Sequence, residues 1–254
     1  MRLYPVFQIH VLILSLASFS GSSEVLAHDK LQHTSKSGKV EGFPLETSIW
    51  PTKNIATCWK MDDTTYNRYA AQRQVVQNAV ADTWEAVSQV RFTGWQQCSG
   101  QPIDGLRVAV VDDTIIGNSD DAPGTYGLGT QLKNKSVGID LNFEFTTFST
   151  SCQQTKIECI RKIAVHEFGH ALGFAHEQLR DDKPPICTKG QPVGDTAGDK
   201  KFGPWDAESV MNYCNPVWNN GGILSAGDIA MVQHYYGAFK SKLEMSPVTF
   251  LLFD

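Results

Sequence analysis

Residues 166 to 178 read HEFGHALGFAHEQ, and they concentrate three of the chain's seven histidines beside two glutamates. His166 and His170 are four apart, so on a helix their imidazoles project from one face, one turn apart. That spacing lets two nitrogens reach a single ion at about 2.0–2.1 Å. Gly173 follows, where a helix can end because glycine accepts the left-handed conformation other residues avoid. The chain can then turn, and His176 can return to the same ion from another direction. Three neutral nitrogens leave zinc with an open position, the mark of a catalytic rather than a structural site. Glu167 lies beside His166 but is rotated around the helix, which sets its carboxylate near a water on the metal instead of on the metal. Zinc lowers the pKa of such a water toward about 7. A carboxylate there can take the water's proton as it attacks a carbonyl and hand it to the leaving group.

The competing reading is a histidine-rich helix that holds no metal. Multiplying this chain's own residue frequencies gives a chance match to H-E-x-x-H-x-x-G-x-x-H on the order of one in a hundred thousand. The metal reading is therefore the one to carry forward.

A helix over Lys156 to about Leu172 would carry the first two histidines, with Ile160, Ala164, Phe168 and Ala171 on the opposite, apolar face. From Thr64 to Val90 the pattern is again helical: Tyr69, Val76, Val80, Trp84 and Val87 fall within an arc of roughly 80°. One long helix packed on a sheet is expected there. Ile55 to Trp59, VRFTGW and LRVAVV read as strands. In SVGIDLNFEF the residues Val137, Ile139, Leu141, Phe143 and Phe145 alternate with polar or small ones, a period of two that predicts one buried and one wetter face. The loop DDTIIGNSDDAPG carries Asp112, Asp113, Asp120 and Asp121; calcium is one occupant for it, and a solvated acidic turn is the other reading. A Gly/Asp/Lys-rich loop spans Asp181 to Gly203, and a last helix is expected near Ser225 to Tyr236.

The first 27 residues combine an early basic residue with an apolar run around Val11 to Leu16, ending in the small-residue context before residue 28. They read as a secretory signal, since Gln8, His10 and a serine-rich exit break the run well short of the roughly 20 residues a membrane helix needs. Residues 28–45 are polar and lysine-rich and read as a leader or short pro-segment. Residues 46–240 hold the catalytic domain, and residues 241–254 form an apolar C-terminal tail. A formal net charge of −5 gives no reason to expect nucleic acid or an anionic membrane as partner. Six cysteines in an exported chain favour three disulfides. Six cysteines allow 15 pairings and the sequence alone does not choose among them; Cys58–Cys98, Cys152–Cys159 and Cys187–Cys214 is the set that would staple neighbouring elements.

The eleven residues HEFGHALGFAH resemble the zinc motif of the metzincin metallopeptidases, and other segments agree. In that clan a methionine turn underlies the zinc, and SVMNY offers Met211; on its own Met211 reads equally as a core residue. Glu177, directly after the third histidine, resembles the astacins, where this residue pairs with a buried mature amino terminus. Tyr213, two residues after the methionine, matches the astacin tyrosine that ligates zinc and assists the oxyanion. Asp206 and LSAGDIAMVQHYYG resemble the acidic residue before the turn and the clan's final helix. Asn212 departs from the pattern, standing where a histidine is usual, and the spans Arg180–Ser209 and Tyr213–Leu224 look short. Residues 28–45 hold no cysteine, which excludes a matrixin-type cysteine switch.

The resemblance implies an α+β metzincin fold: a twisted, mostly parallel sheet with an antiparallel edge strand, a long helix, an active-site helix and a small C-terminal lobe. It implies that His166, His170 and His176 hold one zinc ion, that Glu167 is general base and acid, and that Tyr213 assists catalysis. A protein or peptide substrate would add a strand along an edge, with TYGLGT, residues 125–130, as the candidate. The expected protein is a secreted or periplasmic monomeric zinc endopeptidase. A silent zinc-binding recognition module and a zinc amidase acting on a non-protein amide are the alternatives.

Overall fold

The central strands carry the apolar runs that parallel sheets bury, and parallel pairing requires crossover connections. In the computed structural model, residues 40–100, 104–111, 122–188 and 196–240 are described. Five strands, β1 (Asn54–Trp59), β2 (Arg91–Gln97), β3 (Gly105–Val110), β4 (Gly124–Thr125) and β5 (Ile139–Leu141), lie in the order β2-β1-β3-β5-β4. The first four strands in that order pair in parallel, and β4 alone runs antiparallel, against β5 at one edge. This is the mostly parallel sheet with an antiparallel edge strand that the sequence implied. The described residues all belong to one compact unit, Lys36–Asp254.

The crossover from β1 to β2 is helical but broken. Where a single helix over 64–90 was expected, the chain forms α1 (Asp63–Arg68), α2 (Ala70–Ala81) and α3 (Trp84–Val87). The apolar arc survives, with Tyr69, Val76, Val80 and Trp84 all buried. The break at Thr83 has a local cause. Its hydroxyl donates to the Ala79 carbonyl at 2.6 Å, the kind of side-chain competition that bends helices. The turn then delivers the Trp84 indole to the Val165 carbonyl at 2.8 Å.

The second correction concerns SVGIDLNFEF. Only Ile139–Leu141 is strand, and all three of its residues are buried, so no wet face exists. Asn142 ends the strand: its side-chain oxygen accepts from the amides of Glu144 and Phe145 at 2.9 and 2.6 Å. Phe145 follows with a φ of 57°. Asp140 and Asn142 therefore sit inside the protein rather than in water.

The helix α5 (Lys156–Ala171), preceded by the short α4 (Thr150–Gln154), packs on α2 and on the sheet. Its apolar residues Ile160, Ala164, Phe168 and Ala171 are buried as the pattern required, and Phe168 meets Phe92 of β2 edge to face at 4.9 Å. The last helix, α6 (Ala226–Tyr236), starts with a reciprocal Ser225–Asp228 capping box. All three disulfides are the expected ones, Cys58–Cys98, Cys152–Cys159 and Cys187–Cys214.

Residues 41–45, read as part of the leader, are packed against the domain. Gly42 pairs with Phe202, Pro44 with Phe174, and Phe43 is buried. The acidic loop at 112–121, residues 1–39 and the tail 241–254 lie outside the described residues. No helix among the described residues is long and apolar enough to cross a membrane.

Candidate metal centre

Two side chains from outside α5 fix where it ends. The Trp50 indole donates to the Ala171 carbonyl at 2.7 Å and the Tyr236 hydroxyl to the Leu172 carbonyl at 2.8 Å, satisfying acceptors that every helix C-terminus leaves open. Gly173 then turns the chain with a φ of +99°, and a Cβ there would press on the Ile49 side chain. The backbone of residues 43–45 clasps this turn: Leu45 donates to the Gly173 carbonyl at 2.8 Å and Ala175 to the Phe43 carbonyl at 2.9 Å. His176 is thereby brought back over the helix.

The result is a cluster of three buried imidazoles, His166, His170 and His176, with their ligand atoms within 4.8 Å of one another. The Nε2 atom of His176 lies 3.0 Å from that of His166 and 3.1 Å from that of His170. On the far side of the His166 and His170 rings the tautomer is set by the fold. His166 Nδ1 donates to the Val210 carbonyl and His170 Nδ1 to the Phe174 carbonyl, both at 2.7 Å. Carbonyls only accept, so both Nδ1 atoms carry the proton and both Nε2 lone pairs face the centre. Burial pushes His166 down to about 3, aided by repulsion from His176, and pushes His170 well below its ordinary value for the same reasons. Neutral imidazoles with convergent lone pairs fit a divalent cation, and the outer carbonyls are the usual orienting partners of metal-bound histidine.

Glu167 is buried on α5 next to His166. The Tyr213 ring stacks on His166 at 5.1 Å with only 14° between planes and lies 4.4 Å from His176. Met211 is buried beneath the cluster, against Gly169, where a Cβ would overlap its sulfur. The segment around it is braced from three sides. Glu177 donates its amide to the Met211 carbonyl at 3.0 Å, Gln178 Oε1 accepts from the Tyr213 amide at 3.0 Å, and Asn212 donates to the Asp206 carbonyl at 2.6 Å.

Residues 147–216 match the model of the Astacin peptidase family. The chain is astacin-like. The matched span contains every residue of the histidine cluster together with Glu167, Met211 and Tyr213, and with that cluster it assigns zinc as the cofactor and peptidase chemistry as the class. Among solved structures, myroilysin aligns at 21% identity over 77% of this chain and 98% of its own, with a TM-score of 0.48. High choriolytic enzyme 1, a hatching enzyme zinc-protease from Oryzias latipes (medaka fish), aligns at 17% identity over 66% and 74%, with a TM-score of 0.35. No curated protein sequence matches the chain.

Some site residues of this astacin-like chain stand differently from the sequence reading. Glu177 is buried; it accepts from the Asp206 amide at 3.3 Å and lies 3.6 Å from the fully buried Arg180 guanidinium. Burial outweighs that cation and pushes its carboxyl up to about 8. TYGLGT supplies strand only at Thr125; Gly129–Leu132 is a 3-10 turn. Asp228, Gln178 and Arg180 were missed as supporting residues. The S-x-x-D box at Ser225 was a signal for the first, whereas nothing in residue type or period marks Gln178.

Proposed function

We propose that the chain is a secreted zinc endopeptidase in which His166, His170 and His176 are the ligands and Glu167 and Tyr213 act on the substrate. The convergence of three buried Nε2 atoms beside Glu167 and the Tyr213 ring is the observation that carries this reading. Zinc, when bound, supplies the Lewis acidity that polarises a carbonyl and acidifies water. Glu167 takes the proton of the attacking water as the new C–O bond forms, and delivers it to the amine nitrogen as the C–N bond breaks. The Tyr213 hydroxyl donates to the carbonyl oxygen as negative charge develops there. Substrate lies extended beside Gly124–Thr125, the antiparallel edge of the sheet, and adds a strand through main-chain bonds. Residues 1–27 serve as the export signal, in keeping with three disulfides, which persist in oxidising compartments.

The test pairs zinc content with casein or gelatin cleavage in the wild type and in Glu167→Ala. One zinc in each, with turnover reduced by about 10²–10⁴-fold only in the variant, is the expected result. Wild-type protein that binds no zinc overturns the reading.

A further inference from the structure

Three constraints meet on the dipeptide Tyr213–Cys214. The Tyr213 amide donates to Gln178 Oε1 at 3.0 Å, the Cys214 amide donates to Asn212 Oδ1 at 2.9 Å, and Cys214 Sγ is bonded to Cys187. The Gln178 and Asn212 side chains are fully buried, so both acceptors are held within the fold. Gln178 and Cys187 belong to the same segment, the one that leaves the third histidine. The Lys183 ammonium folds back onto the Gln178 carbonyl at 2.7 Å within it. Segment 178–187 thus grips Tyr213 from both sides, by a hydrogen bond at its amide and by a covalent bond at the next residue. Asn212 closes the remaining freedom. It is also the position where the sequence departs from the usual histidine, and its side chain spans from the Asp206 carbonyl to the Cys214 amide.

Resting on the reading of Tyr213 as the oxyanion donor, we propose that the Cys187–Cys214 disulfide, with Gln178, is a positioning device for the Tyr213 side chain. With its backbone held on both sides, the tyrosine is left with side-chain rotation alone, between its stack on His166 and the carbonyl oxygen of a substrate. A hydroxyl donor works only within a fraction of an ångström of the productive geometry, and a displacement of about 1 Å can cost up to about 10²-fold. The other two bridges have no such placement. Cys152–Cys159 joins α4 to the first turn of α5, and Cys58–Cys98 joins β1 to the end of β2.

A double-mutant cycle tests this, because residues that act through one another do not add. Zinc content, kcat and KM are measured for the wild type, Cys187→Ser with Cys214→Ser, Tyr213→Phe, and the combination. The cysteine-free pair is expected to keep its zinc and KM while kcat falls about 10-fold or more, and to cost nothing further once Tyr213 is phenylalanine. Inhibition by a peptide with a phosphinate in place of the scissile amide, whose oxygen mimics the charged transition state, should weaken by the same factor. Gln178→Met, which keeps the disulfide and removes only the acceptor for the Tyr213 amide, should show the same kcat-selective, non-additive loss if the cysteine variant folds poorly. Cys152→Ser with Cys159→Ser should leave kcat unchanged. An equal loss in both tyrosine backgrounds overturns the proposal alone. Full kcat in Tyr213→Phe overturns it together with the role assigned to Tyr213.

Discussion

Asp228 is joined to His166 through a single residue. Its carboxylate accepts from the Val210 amide at 2.9 Å, and the Val210 carbonyl accepts from His166 Nδ1 at 2.7 Å. The same carboxylate accepts from the Ser209 hydroxyl at 2.6 Å and the Ser225 amide at 2.9 Å. The start of α6 therefore fixes the segment around Met211, and that segment fixes the His166 ring. Asp228→Ala should weaken zinc binding by about 10–100-fold, the usual range for the outer partners of metal-bound histidines. It should also lower the melting temperature of the zinc-free protein. Asp228→Asn keeps a side-chain oxygen for the amides and should be much milder. Competition with a chromogenic chelator reads both effects, and equal zinc affinity across the three proteins would refute the link.

Burial raises two carboxyls of this region, Asp228 to about 6 and Glu177 to about 8. A raised carboxyl binds its proton more tightly in the native state than in the unfolded one. Its contribution is fully present below the unfolded value and is lost as pH rises through the native value. His166 and His170 act the other way: with lowered values they favour the native state above about 6.5 and lose that contribution as pH falls below it, toward about 3 for His166. Zinc-free protein should thus be most stable at about pH 6–7 and lose stability as pH rises toward about 8. Glu177→Gln should flatten that alkaline decline, an effect on the order of a few kcal/mol that thermal melts across pH would read. An unchanged slope would mean that Glu177 titrates near its ordinary value.

The histidine cluster was legible because chemistry, helical period and turn residue agreed within eleven positions. His166, His170 and His176 meet as the spacing required, and Gly173 takes the positive φ that lets them. The parallel strands and α5 were legible from apolar pattern for the same reason. What failed was decided by side-chain to backbone bonds that periodicity does not carry. Thr83 broke a helix whose apolar arc was correct, and Asn142 ended a strand whose alternation looked long. Gln178 and Arg180 were invisible as site residues because their roles depend on segments brought together by the fold, and the capping box that marks Asp228 says nothing of its bond to the Val210 amide. Arg180 is an example: its guanidinium donates to the carbonyls of Gly42, Phe202 and Gly203, none close to it in sequence.

Gly169, between the two helical ligands, is where α5 meets Met211. An alanine Cβ there would overlap the Met211 sulfur and press within 3.1 Å of the Trp84 ring. Overpacking of this kind typically costs about 1–3 kcal/mol, and here the displaced residue underlies the zinc site. Gly169→Ala should lower both thermal stability and zinc affinity. Combining it with Met211→Ala removes the overlapping sulfur and should recover part of the loss, so that the two changes are less than additive in chemical denaturation. Strict additivity would show that the contact is not the source of the cost.

Zinc removal should also destabilise the fold, because the ligands come from two separate segments, α5 and the returning turn at His176. The His166 and His176 Nε2 atoms approach to 3.0 Å, a closeness that a cation shared between them would favour. A ligand that binds only the native state stabilises it by about 2.7 kcal/mol at a hundredfold excess over its dissociation constant. In a domain of this size that corresponds to roughly 5–10 °C in melting temperature. Chelation should lower the melting temperature by about that much, and added zinc should restore it. In His176→Ala the shift should largely vanish, since two nitrogens from one helix face hold zinc far more weakly than three from two segments. A wild-type melting temperature indifferent to both chelator and zinc would argue that the three histidines do not form a zinc site.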